Sequence, residues 1–248
     1  PKTAPWIPNE PSKNAMYEYD WELYNVAEDF SQANDLAEKY PQKLRELKDL
    51  FLVEATKYNV LPLDDSNIER FDVTNRPSYA RGKTSFTYYE GMVRIPEGSA
   101  PDLKNKSYTI TAEVNLTKEN TNGVIVTQGG RPAGYGLFMK EGKLIFHYNY
   151  LGIERFEVVS EDKLPLGEST ITCSLDYKGE GLGGPGTLTL AVNGKKVGEG
   201  RIEKTIPIRI SLDETFDVGE DTGTPVSEAY EIPFHFEGEL IKLMVDLK

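Results

Sequence analysis

Cysteine, histidine and long apolar runs are all scarce in this sequence of 248 residues. The only cysteine, Cys173, excludes an internal disulfide bond. The two histidines, His147 and His235, have no neighbouring ligand residues at the spacing of a metal site. No stretch approaches the roughly 18 apolar residues that a membrane span needs. Residues 1–15 are polar and rich in proline, so we expect neither a signal peptide nor a membrane partner.

Basic residues are also fewer than acidic residues. The chain carries 28 Lys and Arg residues against 40 Asp and Glu residues, a formal net charge of -12. Binding to a phosphate backbone needs clustered Lys and Arg, so this balance argues against a nucleic-acid partner. The same charge favours solubility and the binding of cations.

The region from 41 to about 58 carries the only long helical pattern. Pro41 suits the first helical position, where no N–H donor is needed, and Asn59 with Pro62 ends the pattern. Apolar residues recur at spacings of three and four, which predicts one stripe that packs on a sheet; its members are Leu44, Leu47, Phe51, Ala55 and Tyr58. The proline-rich residues before position 20 predict an extended lead-in.

After the helix the apolar period changes to two, which is typical of strands. The predicted strands cover 85–95, 108–116, 123–128, 134–139, 144–150, 171–177, 188–192, 196–198 and 236–247. Glu141-Gly142 and Asn193-Gly194 are hairpin turn signals. Many strands at short spacing predict a mainly β protein, an antiparallel sandwich or barrel, preceded by an extended segment and one main helix.

Two segments resemble formylglycine-dependent bacterial arylsulfatases. The first is WELYN at 21–25 with DFSQANDLA at 29–37, followed by YNVLPLDD at 58–65, and the second is FDVGEDTGTPV at 216–226. The resemblance implies that the chain is the C-terminal region of such an enzyme without its catalytic core. We therefore predict a sulfatase remnant at 1–66 and a sandwich at 67–248.

The same resemblance assigns partners and a compartment. It implies docking on a sulfatase catalytic domain, an exported or periplasmic parent, and a place near the substrate mouth for Lys2, Thr3 and Trp6. The motif C/S-x-P/A-x-R, which is converted to formylglycine, is absent, because Leu175 and Tyr177 follow Cys173 where Pro and Arg are required. We expect no sulfatase turnover by this chain alone.

The strand region resembles concanavalin A-like, laminin-G-type proteins, on segments that include YTITAEVNL at 108–116, GVIVTQGG at 123–130 and FEGELIKLMVDL at 236–247. The resemblance implies an antiparallel jelly-roll β-sandwich, and such sandwiches often hold Ca²⁺ at acidic loops. Close carboxylates and loop carbonyls suit that ion. We accordingly predict a calcium site at Asp213, Asp217, Glu220 and Asp221. The alternative for this loop is an acidic connector that docks on the helix or on the catalytic domain.

Tyrosines offer a second binding chemistry, because each ring has an apolar face and a polar tip that suit sugars. The candidates are Tyr88, Tyr89, Tyr135, Tyr148 and Tyr150, of which the last three form the predicted glycan-stacking set. Ordinary sheet stabilisation is the alternative. Two function hypotheses remain: a non-catalytic accessory domain of an arylsulfatase, and a lectin-like carbohydrate-binding module whose acidity disfavours sulfated sugars.

Overall fold

A computed structural model of the chain describes residues 19–63 and 78–248. The chain divides into two compact units, Pro1–Arg76 and Pro77–Lys248, and each is described here by itself. In the described residues, no helix is both long enough and apolar enough to cross a membrane.

The first unit contains helix α1, Pro41–Lys57, which begins with proline at its first turn as predicted. Ala55 is the one buried residue of α1, while Leu47, Leu50 and Val53 are 41%, 54% and 63% exposed. Trp21 contacts Phe51 with ring centroids 5.8 Å apart. Residues 19–63 contain no strand, so the packing of the apolar stripe on a sheet stays a prediction.

The second unit is built from antiparallel strands. Their bounds are β1 Ser85–Tyr88, β2 Tyr108–Leu116, β3 Gly123–Gly129, β4 Gly134–Lys140, β5 Lys143–Tyr150, β6 Glu154–Val159, β7 Gly167–Tyr177, β8 Gly186–Val192, β9 Lys195–Ile202, β10 Phe216–Val218 and β11 Glu239–Leu247. Sheet A has the order β1-β11-β2-β7-β8-β9, and sheet B has the order β10-β3-β4-β5-β6. The predicted fold class, a mainly β antiparallel sandwich, is confirmed.

Both predicted hairpins are present. Asn193 and Gly194 have φ values of 50° and 79°, and Glu141 and Gly142 have 52° and 82°, the left-handed backbone that a two-residue type I′ turn requires. The sequence analysis missed β6 and β10. The segment 91–95, predicted as a strand, instead makes one bridge, from Ile95 to Phe216.

The core lies between the two sheets. It is formed by the apolar side chains that alternate with polar ones along the strands. Residues of β2 alternate strictly between buried and half-buried, as expected for a strand with one face on a core. Its inward side chains meet those of the neighbouring strands and of sheet B; fully buried examples are Ile110, Val114, Leu137, Phe146, Cys173 and Leu190. Cys173 is thus a core residue, as its apolar strand position indicated.

Both lateral sides of the sandwich bring the edge strands of the two sheets together. On one side β9 passes β6, and a Cβ atom at Gly200 would lie 2.6 Å from Cγ2 of Val158, so only glycine permits this approach. The N–H of Glu161 also donates to the Val197 carbonyl at 2.8 Å. On the other side, the Tyr88 and Phe216 rings of β1 and β10 have centroids 4.9 Å apart.

Residues 219–236, named the strap here, cover the outer face of sheet B. Val226 and Tyr230 pack on Val124 and Phe138 in a second, smaller core. A Cβ at Gly136 would lie 2.8 Å from Cγ1 of Val226, so the glycine in β4 makes room for the strap. Strand β3 is buried along its whole length as a result. On the outer face of sheet A, in contrast, polar side chains are half-buried or exposed.

Candidate functional site

Asp217, a predicted calcium ligand, is 2% exposed and fixes the base of the strap. Its Oδ1 accepts from the Arg94 N–H at 2.5 Å and from the Thr215 hydroxyl at 3.0 Å. Its Oδ2 accepts from the N–H and the hydroxyl of Thr222 at 3.1 and 2.8 Å. Four donors of the chain therefore hold this carboxylate.

Asp221 is 1% exposed and ties two parts of the strap together. Its Oδ2 accepts from the Tyr230 hydroxyl at 2.5 Å and from the Val226 N–H at 3.3 Å. Its Oδ1 is buried without a hydrogen-bond partner. Burial raises the pKa of the Asp221 carboxyl to about 6, and the nearby Asp217 and Glu214 carboxylates add to the rise.

The other two predicted ligands have separate partners. Asp213 is exposed and accepts from the Ser211 hydroxyl at 3.2 Å, and Glu220 lies 3.1 Å from Nδ1 of His235. Across residues 19–63 and 78–248, no three His, Cys, Asp or Glu side chains are grouped in a way that would hold a metal ion. Calcium binding by this loop stays a prediction.

Two of the three predicted stacking tyrosines are core residues. Tyr135 and Tyr148 are 1% and 6% exposed, and their rings lie between the sheets, where no sugar reaches them. The Tyr135 hydroxyl donates to Oε1 of Gln128 at 3.0 Å, and the Tyr148 hydroxyl accepts from the Ile206 N–H at 2.8 Å. The prediction is wrong for both, because an inward position on a sandwich strand favours any large apolar ring.

Tyr150 is half-buried, and Nζ of Lys204 lies 6.0 Å from its ring centroid. It is the member of the predicted set that keeps part of its surface in solvent. The substrate-mouth positions Lys2, Thr3 and Trp6 lie outside the described residues.

Neither histidine forms a catalytic arrangement in the described residues. Nδ1 of His147 lies 2.8 Å from Oε1 of Glu157 on the neighbouring strand β6. Nε2 of His147 is buried without a partner. His147 is 3% exposed and lies within strand β5, the ordinary sheet placement that its strand position indicated.

A depression of about 410 Å³ lies on the outer face of sheet A, and the sequence analysis did not single it out. We name it the sheet A groove; it is lined by Ser107, Ser174, Asp176, Thr187, Thr189 and Glu199, together with Lys248. Strand alternation turns these side chains outward while Leu175 and Leu188 turn into the core.

Register brings the groove residues together from strands far apart in sequence. Thr109 pairs with Ser174, Ser174 with Thr189, and Thr189 with Glu199, which forms one row across four strands. The Thr109 and Ser174 hydroxyls are 3.1 Å apart, and the Thr189 hydroxyl lies 3.4 Å from Oε2 of Glu199. Neighbouring strands are about 4.8 Å apart, so the row presents hydroxyl and carboxylate oxygens at regular intervals.

Such a surface can both donate and accept hydrogen bonds. Ser and Thr hydroxyls do either, whereas ionised Asp and Glu accept only. The groove contains no nucleophile–base pair, and its lining side chains are half-buried or exposed. Its chemistry therefore suits reversible binding of a ligand rich in hydroxyl groups.

The sheet order, the apolar interior and the open polar face define a β-sandwich of the lectin type. Residues 89–228 match the family described as the Concanavalin A-like lectin/glucanases superfamily. The chain belongs to this family. No curated protein matches the chain.

Solved structures with a similar fold include domains LG4-5 of the mouse laminin alpha1 chain, at 13% identity and a TM-score of 0.46 over 67% of this chain. The chain spans 40% of that laminin chain. The CBM40 of the Ruminococcus gnavus IT-sialidase, bound to alpha2,3 sialyllactose, is 15% identical with a TM-score of 0.44, over 64% of this chain and 90% of the other.

Proposed function

We propose that this chain is a carbohydrate-binding module and that the sheet A groove is its binding site. The observation that carries the proposal is the row of hydroxyl and carboxylate oxygens that crosses an uncovered sheet face. Membership of a family described by its lectins supports it. On the outer face of sheet B, in contrast, the strap packs on β3 and β4.

The groove chemistry matches what a sugar presents. A sugar hydroxyl donates one hydrogen bond and accepts others, so it pairs best with a surface that mixes hydroxyls with carboxylates. Ser174 and Thr189 supply the first kind and Asp176 and Glu199 the second. An open polar groove exchanges its water for sugar hydroxyls, so each contact contributes little and affinity builds up over several contacts.

Removal of two groove hydroxyls is expected to weaken glycan binding. The double variant Ser174→Ala with Thr189→Val should lose about thirtyfold in affinity, since each of the two lost hydrogen bonds contributes about 1 kcal/mol. The measurement is a printed glycan array followed by calorimetric titration of the strongest glycan.

Thr170→Val is the matched control, since Thr170 lies on the same strand and face but outside the groove. Its affinity should equal that of the wild type. An unchanged affinity of the double variant would place the binding site elsewhere, and a wild type that binds no glycan would refute the proposed function.

Docking on an arylsulfatase catalytic domain is the second candidate function, suggested by the resemblance at 21–37 and 216–226. One observation favours it: α1 exposes Leu47, Leu50 and Val53 along one helix. Exposed apolar side chains of this size grouped on one element are typical of a surface that another domain covers.

Variants of α1 test this candidate. Leu47→Asp should leave the melting temperature of the isolated chain unchanged, because the side chain already lies in solvent. Ala55→Asp on the same helix should lower it, because Ala55 is 2% exposed and a buried carboxylate costs several kcal/mol. Co-purification with a catalytic domain that carries C/S-x-P/A-x-R should be lost in Leu47→Asp; equal recovery of the variant and the wild type would count against docking through this helix.

A further inference from the structure

The charges around the sheet A groove are arranged in pairs. Two carboxylates, Asp176 and Glu199, line it, and Lys248 supplies its one lining cation. Nζ of Lys178 lies 2.6 Å from Oδ2 of Asp176, and Nζ of Lys196 lies 3.4 Å from Oε2 of Glu199.

The guanidinium of Arg201, next to the row, also has a carboxylate partner. Arg201 is paired with Thr187 in the sheet register, and its Nε lies 2.8 Å from Oε2 of Glu203. Recognition of a carboxylate or sulfate typically uses the two parallel N–H donors of an arginine. An acidic sugar in this groove would have to displace a carboxylate of the chain from Lys178, Lys196 or Arg201, whereas Lys248 forms no ion pair within the described part of the chain.

We infer that the sheet A groove takes neutral, hydroxyl-rich glycans and discriminates against sugars that carry a carboxylate or a sulfate. The inference rests on the proposed function and adds the class of ligand. Its grounds are local: the lining carboxylates accept hydrogen bonds from neutral hydroxyls, and three of the four cations at the groove already have a carboxylate partner. The net charge of -12 acts in the same direction at long range.

The lining carboxylates accept hydrogen bonds and do not donate them. Asp176 and Glu199 have side chains that are 61% and 48% exposed, so a bound sugar can reach them. A carboxylate accepts from the hydroxyls of a neutral sugar, and such charge-assisted hydrogen bonds are stronger than neutral ones. A sugar carboxylate or sulfate has no hydrogen to donate to these groups.

A charge-reversal pair tests the inference. The probe is an array of neutral oligosaccharides printed beside their sialylated and sulfated forms, followed by calorimetric titration of the best matched pair at low and physiological salt. Wild type should bind the neutral form at least about tenfold more tightly. Asp176→Lys should lower that ratio at least about fivefold, since a unit charge about 4 Å away changes affinity by roughly that factor even in water.

Glu168→Lys is the matched control. Glu168 is exposed on the same strand and face as Asp176, eight residues away, which is about 26 Å along a strand. The variant makes the same change in net charge, yet the neutral-to-acidic ratio should stay at the wild-type value because this distance exceeds the Debye length of about 8 Å. An equal effect of both variants would mean that net charge alone sets the preference, which overturns the inference.

The remaining outcomes separate this inference from the proposed function. If the wild type prefers the sialylated or sulfated forms and the Ser174→Ala, Thr189→Val variant still weakens binding, the groove binds glycans and the inference about their class is wrong. If no glycan of any class binds, the proposed function fails and the inference fails with it.

Discussion

Asp221→Asn is expected to stabilise the protein at neutral pH and to leave its stability at pH 4 nearly unchanged. The pKa of Asp221 is raised from 3.8 to about 6 in the folded protein. A raised pKa means that the folded state holds the proton more tightly than the unfolded chain. The stability that protonated Asp221 contributes to the wild type is therefore complete below pH 4 and is lost as the pH rises through 6.

The expected magnitude follows from the shift. A pKa change of about 2 units corresponds to about 3 kcal/mol between the two protonation states. Urea unfolding of the wild type and of Asp221→Asn at a series of pH values from 4 to 8 gives the difference in unfolding free energy. That difference should grow by about 3 kcal/mol across the range, because asparagine carries no charge that must be buried.

Asp213→Asn is the control, since it removes a carboxylate from an exposed position just before the strap. Its unfolding free energy should run parallel to that of the wild type across the pH range. A flat difference for Asp221→Asn as well would show that the buried carboxylate does not govern the pH dependence.

The same variants extend to the predicted calcium site. A cation that binds Asp217 and Asp221 would raise wild-type stability by about 2.7 kcal/mol at a hundredfold excess over its dissociation constant, and Asp221→Asn would reduce the gain. Thermal melts in millimolar Ca²⁺ and in EDTA measure it. Identical wild-type melting temperatures would leave the loop as an acidic connector.

Glu97→Ala is expected to lower the free energy of unfolding by about 3–5 kcal/mol, which is typical when one partner of a buried ion pair is removed. Oε1 of Glu97 lies 2.8 Å from Nζ of Lys104, and their side chains are 11% and 7% exposed. The Glu97 carboxylate also accepts from the N–H groups of Ile210 and Ser211 at 3.1 Å. The variant thus leaves a buried ammonium with one carboxylate fewer and frees the loop before β10.

Asp102→Asn is the comparison, because Asp102 contacts the same Lys104 ammonium at 2.7 Å but is 36% exposed. Water replaces much of what it contributes, so a loss of about 1 kcal/mol or less is expected. Denaturant unfolding at neutral pH measures both variants. Equal small losses would mean that the Glu97 contacts do not hold the loop in solution.

The strands were predictable where local chemistry is sufficient. Alternation located β2 and β7, and Asn193-Gly194 located the hairpin between β8 and β9. Strand β10 is three residues long and has no alternation of its own; it exists because Phe216 and Val218 pair with β3, almost a hundred positions away in the sequence. Pairing between strands so far apart in sequence depends on the tertiary fold, and a short stretch of sequence does not reveal it.

The candidate sites show the same limit. The tyrosines of β4 and β5 were predicted to stack on sugars, but Tyr135 and Tyr148 point into the core between the sheets. Strand β4 is buried on both faces, so its sequence pattern does not show which face meets sheet A. Ser174 and Thr189 gave a signal, the Thr-rich alternation of their strands. Their meeting in one groove required the β7–β8 pairing to be known.

The closed sides of the sandwich restrict how this protein meets others. A free edge strand offers unpaired N–H and C=O groups to any extended chain, and this is a common route to aggregation or domain swapping. Here β9 passes β6, and the Glu161 N–H already donates to the Val197 carbonyl of β9, so part of this edge is occupied. A neighbouring protein or domain that meets this side of the sandwich finds fewer free backbone groups to pair with, so its contacts there depend more on side chains.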